Sequence, residues 1–126
     1  MIKPDAVRDG LVGRILSDIE QSGFVIVNMR KIRMSRKQAE DFYNSLSHLP
    51  FYDELCDYMS SGPVVAMVLE ADNAVDMFRE LIGVTDPKEA ACGTIRSKYG
   101  LSKGSNAIHG SDSDSSADRE ISFFDL

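Results

Sequence analysis

Six consecutive apolar residues, Val64 to Leu69, constrain the fold more than any other stretch of the chain. A strand with one wet face alternates apolar and polar side chains; an unbroken apolar run of this length reads as a strand covered on both faces. Layers must therefore pack on each side of it, and the flanking sequence supplies candidates. Asp9 and Gly10 precede Leu11, Val12, Ile15, Leu16 and Ile19, a stripe that predicts an amphipathic helix ending at Gly23. Phe24 to Met34, rich in β-branched and apolar residues, predicts a strand. Ser35 with Gln38 three residues on forms a capping box, opening a helix that carries Ala39, Phe42, Tyr43 and Leu46. Pro50 suits the first turn of another helix with Phe51, Leu55 and Met59 on one face, and Ser60-Ser61-Gly62-Pro63 stops it.

Beyond the apolar strand, Asp72 or Asn73 can cap a helix through Val75, Phe78, Leu81 and Ile82 that closes at Gly83. From Val84 to Ser105 periodicity fades except around Thr94 to Tyr99, and a loop that long is usually functional or an interface. Asn106 to His109 is strand-like, and Ser116 to Phe124 predicts a last helix. With the first residues taken as β, the order is β-α-β-β-α-β with an inserted helical hairpin. That is the ferredoxin-like α+β sandwich, an antiparallel four-stranded sheet with helices on its faces, in one domain over residues 1–126. A 126-residue chain that is 43% hydrophobic can bury a core of that size.

Charge and cysteine usage narrow the function. Fourteen Lys and Arg against twenty Asp and Glu give a net charge of −6, which argues against phosphate-driven nucleic-acid binding. No apolar run approaches the ~20 residues of a membrane span. Lys3, Asp5, Arg8 and Asp9 leave no room for a signal-peptide core. Cys56 and Cys92 have no CxxC partner and no His at metal-ligand spacing, so both read as reduced thiols of a cytosolic protein.

Of the two histidines, His48 lies in a polar turn and reads as solvated, whereas His109 ends an apolar strand and is followed by Gly110-Ser111-Asp112-Ser113. Small residues there open the imidazole to a cleft, and Glu120, on the next helix, can return to orient the ring and support positive charge on it. A structural histidine bonded to a local carboxylate fits the same spacing, and the residues alone leave both readings open. The acidic run from Asp112 fails as a calcium loop, since Ala117 and Phe123 stand where Gly and Glu are needed; it fits a helix N-terminus. Lys3, Arg79, Arg96 and Lys98, with hydroxyls such as Thr85 and Thr94, could hold a polyphosphate. There is no Walker A loop, because no Gly-Lys-Ser or Gly-Lys-Thr occurs and Gly100-Leu101-Ser102-Lys103-Gly104 has the wrong order. Phe51 and Tyr43 offer aromatic faces for a base, although Phe51 at i, i+4 from Leu55 also fits a core position.

Asn106-Ala107-Ile108-His109-Gly110-Ser111-Asp112-Ser113 closely resembles the active-site signature of nucleoside diphosphate kinases. Ile2-Lys3-Pro4-Asp5-Ala6-Val7, Gly10-Leu11-Val12-Gly13, Pro50-Phe51-Tyr52, Ser61 to Val68, Gly83-Val84-Thr85-Asp86-Pro87 and Gly93-Thr94-Ile95-Arg96 resemble further motifs of that family, in family order. The resemblance spans essentially the whole chain. It implies transfer of the γ-phosphate of a nucleoside triphosphate to a nucleoside diphosphate, in two half-reactions through a phosphohistidine. By position, it makes His109 the nucleophile, with Glu120 and Ser111 holding the imidazole. Lys3 and Tyr43 would sit near the transferring phosphate and sugar hydroxyl. Arg79, Thr85 and Arg96 would hold the phosphates, Asn106 the ribose, and Phe51 with Leu55 the base. Mg²⁺ would travel with the nucleotide phosphates rather than in a protein cage.

The resemblance also implies a cytoplasmic homo-oligomer, hexamer or tetramer, with the loop around Pro87 as a contact. Three departures accompany it: relatives carry several residues ahead of the position of Ile2, many extend beyond that of Phe124, and Lys103 stands where relatives often have an apolar residue against the base. A catalytically idle nucleotide-binding or scaffold domain of the same fold is the alternative. A phosphohistidine relay to another protein is a third reading, in which the nucleotide-holding residues would be superfluous.

Overall fold

Val64–Glu70 is a strand, as its apolar run predicts, and it pairs antiparallel with Val25–Ile32. Numbered in chain order as β1 (Val25–Ile32) and β2 (Val64–Glu70), they run in register from Val25 opposite Glu70 to Ile32 opposite Val64, with an irregularity between Ile26 and Asn28. The computed structural model describes all of residues 1–126. The expected cover on both faces of β2 is present. Val65 joins one core cluster with Ile2, Ile15, Ile19, Phe78 and Ile108. Its neighbours Val64 and Ala66 join a second, with Met34, Phe42, Met59 and Phe124. Alternation along one strand thus feeds two cores, and each fully buried isoleucine adds about 1.5–3 kcal/mol of transfer free energy.

The regular sheet has two strands, where the sequence predicts four. Ile2 extends it through isolated antiparallel bridges to Val65 on one side and Ile108 on the other. The Ile2 N–H donates to Val65 at 2.7 Å, and the Lys3 N–H donates to Ala107 at 2.9 Å. Two local breaks keep these segments short. Pro4 opens helix α1 (Pro4–Arg8) directly after Lys3, and Ala107, at φ 75°, interrupts the extended run before Ile108. This first helix was not predicted.

The other helices are α2 (Val12–Gln21), α3 (Arg36–Phe42), α4 (Tyr52–Met59), α5 (Ala74–Ile82), α6 (Ile95–Tyr99) and α7 (Asp114–Phe123). The Ser35–Gln38 capping box forms in full and starts α3, which stops at Phe42; a 3₁₀ turn over Asn44–Leu46 replaces the longer helix expected. Arg36 ties α3 to α4 through Asp53 at 2.9 Å and through Asp57, giving the inserted helical hairpin. Asn73 precedes α5 at φ 52° without a side-chain cap, and Gly83 ends that helix at φ 87°. Adding a Cβ to Gly83 would bring it 2.7 Å from the Thr94 hydroxyl, so both space and conformation require glycine there. The patch predicted in the long loop is α6, capped by Thr94, and α7 starts two residues before its predicted position, capped by Ser113. No helix is long and apolar enough to cross a membrane.

Candidate active site

His109 follows the Ile108 bridge, and its main chain exchanges two hydrogen bonds with Met1. Its Nε2 lies 2.5 Å from Glu120 Oε1, and the Ser111 hydroxyl donates to the same oxygen at 3.1 Å. A carboxylate only accepts, so Nε2 carries the hydrogen and Nδ1 keeps its lone pair. Phe42 packs edge-on against the imidazole at a centroid distance of 5.4 Å, and Tyr43 does so at 6.2 Å, so α3 and its end fix the ring from a second side. Burial pushes the His109 pKa below its ordinary value, against the upward pull of Glu120. Burial acts to raise the Glu120 carboxyl, but the bonds from His109 and Ser111 outweigh it and leave it below the usual range. The pair is therefore a neutral imidazole on an ionised carboxylate near neutral pH.

The ring borders a polar pocket whose wall includes Tyr43, Arg79, Thr85, Arg96 and Glu120. Arg79 comes from α5, Arg96 from α6 and Thr85 from the loop between them. Arg96 donates to the carbonyls of Gly83 at 2.9 Å and Ile108 at 2.8 Å, which ties that loop to the residue before His109. Burial, and then the neighbouring charge of Arg79, pull Arg96 below its ordinary pKa. Lys3 is buried beside them, and burial followed by Arg96 lowers its ammonium pKa to about 8. Three cations thus converge on one place. Three buried polar atoms at this end of the molecule have no protein partner: the Tyr43 hydroxyl, Arg96 Nε and Asn106 Oδ1. Buried groups of this kind are ordinarily completed by a ligand or water. Asn106 Nδ2 donates to the carbonyl of Thr85, a residue of the pocket wall, at 3.0 Å.

Not every residue expected at the site lines this pocket. Ser111 reaches it only through Glu120, and Lys3 and Asn106, both buried, are not part of its lining. Phe51 precedes α4, 49% exposed, with Leu55 one turn on, and neither belongs to the lining. His48 is exposed, and both cysteines are free, Cys56 buried and Cys92 exposed. Phe42, Ser45, Asp112, Ser116 and Arg119 line the pocket without having been singled out as site residues from the sequence. Ser116, Arg119 and Glu120 share one helix face at i, i+3 and i+4, a signal already legible in the helix predicted over Ser116 to Phe124.

No three His, Cys, Asp or Glu side chains gather at any point. Beside the pocket's cations stand two carboxylates, and Glu120 is engaged with His109. Such a donor set suits a divalent ion already coordinated by phosphate oxygens, not a resident octahedral one.

An imidazole held on a carboxylate beside converging cations, in an α+β frame, is an arrangement suited to handling phosphate groups. The family profile described as nucleoside diphosphate kinase matches residues 1–125. Among curated relatives, the nucleoside diphosphate kinase of Persephonella marina is 50% identical over 124 residues, covering 98% of this chain and 89% of that protein. Among solved structures, the Aquifex aeolicus nucleoside diphosphate kinase aligns with a TM-score of 0.96 at 46% identity, covering 98% of this chain and 89% of that one. A halophilic nucleoside diphosphate kinase from Halobacterium salinarum, in complex with CDP, aligns at 0.94 and 41% identity, covering 98% and 82%. The chain belongs to the nucleoside diphosphate kinase family.

Proposed function

We propose that this protein is a nucleoside diphosphate kinase that moves the γ-phosphate of a nucleoside triphosphate onto a nucleoside diphosphate through His109. The 2.5 Å contact between His109 Nε2 and Glu120 carries the reading, because it leaves Nδ1 as the nucleophilic nitrogen beside the cation-lined pocket. Nδ1 attacks the γ-phosphorus, the bond to the β–γ bridging oxygen breaks, and the diphosphate leaves with that electron pair. The ring gains positive charge as the N–P bond forms, and Glu120, steadied by Ser111, stabilises it. A second diphosphate then takes the phosphoryl group by the reverse displacement.

Arg79, Thr85 and Arg96 hold the phosphates, with Lys3 and the Tyr43 hydroxyl near the transferring group and Asn106 at the ribose. Phe51 and Leu55 form the base shelf, outside the phosphate pocket, where stacking would accept many bases. The pocket's own residues bind and orient the phosphate oxygens; Mg²⁺ held on those phosphates, rather than by protein ligands, would offset their charge. The CDP in the Halobacterium salinarum relative supports a nucleoside diphosphate as one substrate.

The chain acts as one domain in the cytoplasm, its sheet four-stranded in plan, with Ile2 and Ile108 as remnants of the two further strands. It assembles as a homo-oligomer, hexamer or tetramer. Exposed Val25, Val27 and Met29 on edge strand β1 support assembly.

Incubation with γ-labelled ATP and Mg²⁺ should give an acid-labile, base-stable label that GDP removes, and none in His109→Ala. A wild type that takes up no label, or a variant that labels equally well, overturns the proposal in favour of an idle nucleotide-binding domain.

A further inference from the structure

Asp5 is 1% exposed, and its carboxylate does not cap the helix it sits in. Both of its oxygens are engaged far along the chain. Oδ1 accepts from the Tyr58 hydroxyl at 2.5 Å, and Oδ2 accepts from the Ala107 main-chain N–H at 3.1 Å. The same Tyr58 oxygen accepts from the Asp5 N–H at 2.8 Å. A buried carboxylate is costly unless its acceptors are used, so this arrangement locks three segments together.

What it locks is unusual backbone. Ala107 has φ 75°, a region that L residues rarely occupy. The Ile108 N–H donates to the Asn106 carbonyl at 2.9 Å, closing a three-residue turn of the strained, positive-φ kind. Asn106 and His109 lie on either side of that dihedral. Ala107 itself is held at both polar groups, its N–H by Asp5 and its carbonyl by the Lys3 N–H at 2.9 Å. Were the clamp lost, the turn could relax toward ordinary extended backbone, and the orientation of His109 relative to Asn106 would change with it.

We infer that Asp5 is a positioning residue, whose carboxylate holds Ala107 in its strained turn and so aims His109 at the pocket. This rests on the phosphohistidine reading given above and deepens it.

The test compares Asp5→Ala, Ala107→Gly and the double variant, each normalised to folded protein by circular dichroism. At saturating nucleotide, Asp5→Ala should label His109 about tenfold more slowly, with ATP half-saturation changed less than about threefold. Ala107→Gly should stay near wild type, since glycine adopts positive φ without strain, and the double variant should recover to within about threefold of wild type. A purely structural Asp5 would lower thermal stability while leaving the rate per folded molecule intact; that result, or a double variant as slow as Asp5→Ala, overturns the inference.

If Asp5→Ala does not fold, Tyr58→Phe removes only the hydroxyl that orients the carboxylate and should slow labelling about threefold; an unchanged rate overturns the inference equally. NMR titration of the His109 ring gives a readout independent of phosphoryl transfer. Its pKa should move toward 6.5 in Asp5→Ala and return in the double variant. A wild type that takes no label defeats the kinase reading, whereas an unmoved ring pKa defeats the role of Asp5.

Discussion

Replacing Glu120 by Gln preserves the side chain's length and one acceptor oxygen but removes the charge facing His109 Nε2 at 2.5 Å. A hydrogen bond to a charged group contributes about 1.5–3 kcal/mol net. The Glu120 side chain is only 11% exposed, so water cannot easily take over its role. The bond is worth most when the ring is cationic, which happens as the N–P bond forms and not in the free enzyme. Most of that free energy is therefore lost from the transition state, giving a roughly ten- to hundredfold slower phosphoenzyme formation. Nucleotide affinity should hold or rise slightly, because the substitution removes negative charge from a pocket meant for polyanions. Single-turnover mixing with γ-labelled ATP and Mg²⁺, quenched in base to preserve phosphohistidine, separates the two effects. A rate within about threefold of wild type would refute the reasoning, as would a loss confined to half-saturation. Ser111→Ala gives a calibration, since it removes only the second donor to Oε1 and should cost about two- to tenfold.

Folded His109 binds its proton less tightly than the unfolded chain, whose value is near 6.5, so its contribution to stability is present above that pH and lost as pH falls from there through the lower folded value. The urea midpoint should hold above about pH 6.5 and drop as pH falls below it, and His109→Gln should flatten that limb. Lys3, with a pKa of about 8, should gain a proton when a triphosphate supplies negative charge beside it. Titration calorimetry at about pH 8 in buffers of different ionisation enthalpy should show proton uptake, absent in Lys3→Arg. Gly110→Ala would place a Cβ 2.9 Å from Phe78 Cδ2 and 3.1 Å from Ile82 Cδ1. It should cost about 1–3 kcal/mol in thermal unfolding and slow labelling as well, because the displaced residue adjoins His109.

The parts of the fold that sequence made legible are those decided by contacts a few residues apart. The Ser35–Gln38 capping box, the Gly83 stop and the β2 run each depend on neighbours within one turn or one strand, and each formed at the predicted place. Helix α1 escaped because five residues carry too little periodicity to register, even with Pro4 at its first position. The sheet came out narrower for a similar reason. The length of pairing depends on where a chain leaves the plane, and both exits, Pro4 and the positive φ of Ala107, are single-residue events; nothing about alanine advertises the second. At the site, His109, Glu120, Arg79, Thr85 and Arg96 were named in advance, while Phe42, Asp112 and Arg119 were not. Phe42 reaches the pocket through packing between elements, which no local pattern encodes, whereas Arg119 lies on the helix face of Glu120 and was open to a helical reading.

The charge distribution separates what composition can and cannot say. A net charge of −6 is a sum over the whole chain and does not say where its cations lie. At the pocket cations gather instead: α5 and α6 set Arg79 and Arg96 in its wall, and Lys3, buried, feels the charge of Arg96 from outside the lining, although the three lie far apart in the chain. The lowered pKa values of Lys3 and Arg96 are the physical trace of that convergence: burial and mutual repulsion strain both ammonium and guanidinium in the free protein. A bound polyphosphate relieves the repulsion, so the same interactions that destabilise the free pocket favour a ligand of opposite charge. On the proposed function, selectivity for phosphate chains would follow from where the fold places its few buried cations, and a count of acidic and basic residues does not locate them.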